Sequence, residues 1–324
     1  MPVRKAGKML KITLICMGIL ALLISMAFGY RDIPFEELKS KYAQGPSAFL
    51  EIDGMKVHFR DEGNPADTIP LVLIHGTGSS LHTFDDWTSQ LKIDHRVVRM
   101  DLPGYGLTGP FPERDYSIDR YVKFMKDFLD EQGIQQCVIG GNSLGGHIAW
   151  RFTVAYPDMV DKLILIDAAG YPYHAESVPI AFKAATTPVI KHLFTFITPK
   201  FMARSSVENV YADKSKVTNE LVTRYFELTL RSGNRQAFID RFAAERDLDA
   251  YMQIPTIQQP TLVLWGDQDL LIPLEYAEKF HYDLPNDTLV TLENVGHVPM
   301  EEAPIQSLAP VFSFLAAAYG DSNQ

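Results

Sequence analysis

Residues Val138 to Trp150 read Val-Ile-Gly-Gly-Asn-Ser-Leu-Gly-Gly-His-Ile-Ala-Trp. The apolar run Cys137, Val138 and Ile139 suits a buried strand and the residues from Gly145 onward suit a helix. Gly141-Asn142-Ser143-Leu144-Gly145 falls where one gives way to the other. A strand that turns straight into a helix passes close to its neighbours, so Gly141 and Gly145 leave out Cβ atoms that would collide. Ser143 then carries the strained dihedrals of the turn, with its hydroxyl raised above the sheet and the first helical N–H groups beneath it. Taken alone, Gly-x-Ser-x-Gly is also what a plain glycine-rich turn looks like.

Two later segments complete a constellation. Trp265-Gly266-Asp267-Gln268-Asp269 follows the strand-like Thr261-Leu262-Val263-Leu264, and Gly296-His297 follows Leu289-Val290-Thr291-Leu292. The chain order Ser143, Asp269, His297, each just past a strand, is the order of an α/β-hydrolase. Leu71-Val72-Leu73-Ile74-His75-Gly76-Thr77-Gly78 resembles the oxyanion-loop segment of that superfamily. Asp101-Leu102-Pro103-Gly104-Tyr105-Gly106 resembles its next strand-to-loop signature. The chain is thus identified as a member of the α/β-hydrolase superfamily, in its capped branch with a serine nucleophile.

The resemblance implies an α/β fold with a mostly parallel eight-stranded sheet flanked by helices and a helical cap inserted after the sixth strand. The expected core is 32–169 with 256–324, and the expected cap is 170–255, where the strand rhythm stops and Phe182 to Phe201 and Val217 to Arg246 read mainly as helices. Ile180, Phe182, Val189, Leu193, Phe194, Phe196, Ile197, Phe201 and Met202 make the first half of that insertion apolar. Such residues pack a cap onto a core, and they can also line an acyl pocket. Phe49-Leu50-Glu51-Ile52, Asp53-Gly54 and Met55-Lys56-Val57-His58-Phe59 form a hairpin signal that opens the sheet. Ile33 to Gln44 is a short amphipathic link, Tyr116 to Gln132 a packing helix, Leu274 to His281 another helix, and Ala303 to Tyr319 a closing one.

The resemblance also assigns roles. Ser143 is the expected nucleophile, His297 its base and Asp269 the acid that orients His297, with Asp167, at the end of Val160 to Ile166, as the alternative acid. Thr77 and Leu144 supply the expected oxyanion N–H groups, and His75 is expected to be a structural hydrogen-bonder. The implied activity is hydrolysis of carboxylic esters, hydrophobic or acylglycerol-like, as in bacterial lipolytic esterases and membrane-associated acylglycerol lipases. Haloalkane dehalogenases and epoxide hydrolases of the superfamily carry Asp at the elbow, whereas this chain has Ser143. Carbon–carbon bond hydrolases share a similar elbow but usually carry Trp after the catalytic histidine, where this chain has Val298. That activity, and a non-catalytic small-ligand receptor, are the alternatives.

Composition narrows the partners. The 324 residues carry a net charge of −10 with no basic run in the catalytic region, which argues against nucleic acid. No phosphate-binding glycine loop is present and no histidine pair has metal-ligand spacing, so no cofactor and no metal are expected. Cys16 and Cys137 are placed too differently to form a disulfide. At the amino terminus Arg4, Lys5, Lys8 and Lys11 precede an apolar run from Ile12 to Phe28. Its length favours an uncleaved membrane anchor within residues 1–31, with the catalytic domain on the non-cytoplasmic side. Ser25-Met26-Ala27 leaves open a cleaved signal and a secreted or periplasmic protein.

Overall fold

The computed structural model describes residues 2–245 and 247–317. Eight strands form one sheet in the order β1-β2-β4-β3-β5-β6-β7-β8. They are β1 (Ser47–Ile52), β2 (Met55–Gly63), β3 (Leu71–Ile74), β4 (Arg96–Met100), β5 (Cys137–Asn142), β6 (Val160–Ile166), β7 (Thr261–Gly266) and β8 (Asp287–Leu292). β1 and β2 pair antiparallel, as do β2 and β4, and every pairing from β4 through β3 to β8 is parallel. The β1–β2 turn sits at Asp53 and Gly54, both at positive φ (49° and 76°), which is the backbone that a two-residue hairpin requires.

The central parallel strands β3, β5 and β7 are buried on both faces, which explains their mainly apolar runs. Alternate residues feed opposite cores: Val72 and Ile74 of β3 join one cluster, Leu71 and Leu73 the other. Among the helices, α1 is Pro2–Phe28, α2 is Phe35–Tyr42, α3 is Asp85–Leu91, α4 is Ile118–Glu131 and α5 is Leu144–Ala155. α4 and α5 cover one face through Phe124, Phe128, Ile148 and Phe152. Trp87 and Leu91 of α3 cover the other, and the buried Trp87 donates its indole N–H to Ser307 at 3.0 Å. Each such aromatic or branched side chain contributes roughly 1.5–3 kcal/mol by leaving water.

Among the described residues, five α-helices lie between β6 and β7: α6 (Ile180–Thr186), α7 (Ile190–Phe194), α8 (Lys200–Asn209), α9 (Asn219–Thr229) and α10 (Asn234–Ala243). The two longer helices expected here are broken at identifiable residues. Thr187 is extended ahead of Pro188, Pro199 is the N-cap of α8, and Gly233 turns the chain into α10 at φ 88°. Arg246, the expected end of the second helix, lies outside the described residues, as does Tyr319. α11 (Glu275–Asp283), α12 (Pro299–Glu302) and α13 (Pro304–Ala316) are the last helices of the described residues, and Leu308 and Val311 of α13 join the second core cluster.

The expected N-terminal membrane anchor is not supported, nor is the placement of the catalytic domain that depended on it. Among the described residues no helix is long and apolar enough to cross a membrane. The basic residues up to Lys11 belong to the same helix as the apolar run. What remains from Ile12 to Phe28 rises only about 25 Å at 1.5 Å per residue, short of the roughly 30 Å of a hydrocarbon core. The segment after α1 is instead tied to the helices between β6 and β7. The Tyr30 ring meets Phe226 edge-on, Ile33 N–H donates to Leu230 O, and Asp32 pairs with Arg235 at 2.7 Å.

Candidate active site

Ser143 stands between β5 and α5 with φ 55° and ψ −114°, a conformation that costs about 1–3 kcal/mol for a residue with a side chain. Its neighbours hold it there. Ser143 N–H donates to Ile166 O at 3.0 Å, and Ser143 O accepts from His147 N–H at 3.0 Å and Ala169 N–H at 3.1 Å. The glycines follow from the same turn. A Cβ on Gly141 would lie 2.2 Å from the carbonyl carbon of Gly145, and one on Gly145 would lie 2.1 Å from Ile74 O. Leu144 is the first residue of α5, so its N–H is among the four that a helix leaves without an internal acceptor.

His297 and Asp269 meet at the exits of β8 and β7. His297 Nδ1 is 2.6 Å from Asp269 Oδ2, while Asp269 Oδ1 accepts from Leu271 N–H (2.8 Å) and Ile272 N–H (3.0 Å). A carboxylate can only accept, so Nδ1 carries the hydrogen and the Nε2 lone pair is left to take a proton. The backbone of His297 is fixed on both sides: its N–H donates to Val210 O at 2.9 Å, and its carbonyl accepts from Asn142 Nδ2 at 2.9 Å. Glu302 completes the support by accepting from Gly296, Ala212 and Asp213 N–H groups, which ties the turn before His297 to the loop after α8.

Asp167, the alternative acid, lies in the same buried group. One potential ligand atom from each of Asp167, Asp269 and His297 falls within 4.8 Å of the others. Asp167 does not take the position of Asp269: its Oδ1 accepts from Gly266 N–H at 3.0 Å. Burial and the adjacent Asp269 charge push its carboxyl well above the ordinary aspartate range. His75 behaves as expected of a structural residue. Its Nδ1 donates to Gly76 O and its Nε2 accepts from Leu102 N–H, and burial lowers its basicity.

Ser143 and His297 open onto one cavity of about 100 Å³. Gly76, Thr77 and Gly78 of the loop after β3 form one wall, and Phe182, Phe194, Met202, Val207 and Phe238 from the helices between β6 and β7 form the other. No Lys, Arg, Asp or Glu lines it among the described residues. Thr77 borders the cavity directly, whereas the Leu144 side chain is buried in the core. Sequence reasoning missed Asn142 and Glu302. Asn142 was visible inside the elbow motif, but the partner it holds is 155 residues away.

A model of the alpha/beta hydrolase fold family matches residues 69–304. Among curated relatives, Lipase 1 of Psychrobacter immobilis is 29% identical over 263 residues, 77% of each chain. A 2-hydroxy-6-oxononadienedioate/2-hydroxy-6-oxononatrienedioate hydrolase of Pseudomonas putida is 28% identical over 261 residues, covering 76% of this chain and 86% of its own. In fold the chain is similar to a solved thermophilic esterase from Thermogutta terrifontis, with TM-score 0.69, 22% identity, and 84% of this chain and 98% of the esterase covered. With the matched region running from just before β3 to the residues just past His297, this chain belongs to the alpha/beta hydrolase fold family.

Proposed function

We propose that the protein is a serine hydrolase of hydrophobic carboxylic esters. The reading rests on one observation above the others: Ser143 shares an apolar cavity with His297, whose Nδ1 is fixed by Asp269 at 2.6 Å. A serine hydroxyl is a weak nucleophile at neutral pH, so its proton must leave as it attacks the ester carbonyl. His297 Nε2 accepts that proton and Asp269 stabilises the imidazolium. The N–H groups of Thr77 and Leu144 receive the oxyanion, each worth roughly 3–4 kcal/mol of barrier in comparable sites. His297 then returns the proton to the leaving alcohol, and water activated by the same ring releases the acid.

Charge favours esters over the carbon–carbon alternative. The Pseudomonas putida relative is named for dioate substrates, which carry two carboxylates. Among the described residues, the lining of the cavity here offers no cation to hold either one. Phe182, Phe194, Met202 and Phe238 favour an acyl chain instead. The test is a p-nitrophenyl ester panel of increasing acyl length, run on the full chain and on Ser143→Ala. Turnover that favours medium or long chains and disappears in the variant supports the reading. Equal turnover in both proteins, or none with any ester, sinks it.

A further inference from the structure

We propose that Asp167 is a neutral carboxylic acid that donates a hydrogen bond to the Asp269 carboxylate, and so acts as a positioning residue for the acid of the triad. The kinetic consequence rests on the ester-hydrolase reading; the location of the proton does not.

The hydrogen-bond inventory of the two acids carries the argument. Asp269 already accepts three N–H groups, two on Oδ1 and His297 Nδ1 on Oδ2, which is the pattern of a charged carboxylate. Asp167 is fully buried, its Oδ1 accepts from Gly266 N–H, and its Oδ2 finds no donor among the described residues. A carboxylate oxygen of Asp269 lies within 4.8 Å of one of Asp167. Two bare carboxylates cannot share a buried site without a large penalty, and one proton between them removes both the repulsion and the orphaned oxygen. The other titratable groups facing the pair are His297 and Glu302. Glu302 adds negative charge, because its oxygens accept from three backbone N–H groups. It cannot substitute for the proton.

The fold imposes this encounter. Asp167 leaves β6 one residue past the Ile166–Leu264 pair and donates its N–H to Leu264 O at 3.0 Å, which sets it beside the exit of β7. Its φ of 43° is strained for a residue with a side chain, although Asp and Asn tolerate it better than most. A cation is the other possible occupant of a site with three potential ligands. However, Asp269 Oδ2 and His297 Nδ1 are committed to each other at 2.6 Å, and the free oxygen of Asp167 alone is no cation site. A hydrogen bond donated by Asp167 holds the carboxylate of Asp269 so that Oδ2 stays aimed at His297.

The experiment uses the full chain and two variants. Asp167→Asn can donate an N–H to Asp269 and accept from Gly266, while Asp167→Gly removes the side chain and accommodates the positive φ. Infrared difference spectroscopy at neutral pH should show the carbonyl stretch of a protonated carboxyl in the wild type and its loss in Asp167→Asn. On a p-nitrophenyl ester, kcat of Asp167→Gly should fall roughly 10- to 100-fold, the scale of one hydrogen bond to a charged group. KM should hold, and Asp167→Asn should recover most of the loss. The proposal is overturned if the infrared band is absent, if Asp167→Asn is as slow as Asp167→Gly, if Asp167→Gly matches the wild type, or if chelation abolishes an activity that a divalent cation restores. If the wild type turns over no ester, the infrared result still decides where the proton lies, and only the ester reading fails.

Discussion

His58 Nδ1 stands 2.7 Å from Asp101 Oδ2, the same pairing that His297 makes with Asp269. Ser47 Oγ lies 2.9 Å from the other ring nitrogen of His58, so a hydrogen-bonded serine–histidine–aspartate chain exists on the β1–β2 side of the sheet. We expect it to act as a brace rather than a catalytic group. His58 is fully buried, Ser47 Oγ also accepts from Arg60 Nε, and Asp101 accepts from the N–H groups of Leu81 and Leu107. We expect Ser47→Ala to leave ester turnover within about twofold while lowering stability by about 1 kcal/mol, the usual net worth of a hydrogen bond. Paired assays of turnover and urea unfolding check this. A loss of turnover comparable to that of Ser143→Ala would contradict it.

Asp101 should matter far more to the fold than Ser47. Burial alone would raise its carboxyl, yet the facing His58 and the N–H of Leu107 bring it below the ordinary carboxylate range. Such a depressed acid contributes stability that is present above the unfolded value of about 3.9 and lost as pH falls. Asp101→Asn should therefore destabilise the protein at neutral pH by about 3 kcal/mol or more, because it leaves a buried charged network short of its anion. The deficit should shrink on acidification. Urea midpoints at neutral and acid pH give both numbers.

The elbow glycines were legible in the sequence because a steric demand writes itself directly as residue type. A Cβ at Gly141 would overlap backbone at 2.2 Å, which no rotamer change relieves. Gly141→Ala is accordingly expected to cost about 3 kcal/mol or more, or to prevent folding, as read by circular dichroism and urea unfolding. Asp269 and His297 were legible through chain order. Other features were not, because they depend on which strands become neighbours. The proximity of Asp167 to Asp269 follows from the β6–β7 register, and the grip of Glu302 on Gly296 and Ala212 joins segments about 90 residues apart. The N-terminal run misled for the opposite reason: its apolar composition was plain, and its length on a helix decided against the anchor.

Acyl-chain length should be set where α8 borders the cavity. Ala203 lines it next to Met202. Ala203→Phe would place a ring where an acyl chain is expected to run, so kcat/KM for long-chain esters should fall by about tenfold or more, while acetyl and butyryl esters change less than about threefold. A uniform loss across the acyl series would place the chain elsewhere.

Asp167 also predicts a stability that depends on pH in an unusual sense. In the unfolded chain its carboxyl loses a proton near the ordinary value of about 3.9. In the fold, burial and the Asp269 charge retain the proton to much higher pH. Between those limits the folded state binds one proton more than the unfolded state, so this group makes the protein less stable as pH rises. Asp167→Asn carries no such proton. The variant should therefore gain on the wild type progressively from about pH 4 upward, by at most about 1.4 kcal/mol per pH unit. Below that window the two proteins should differ by a constant amount. Urea unfolding of both between about pH 3.5 and 8 measures the divergence. Parallel curves throughout would mean that Asp167 is as ionised in the fold as in the unfolded chain, and the hydrogen bond to Asp269 would have no proton to support it.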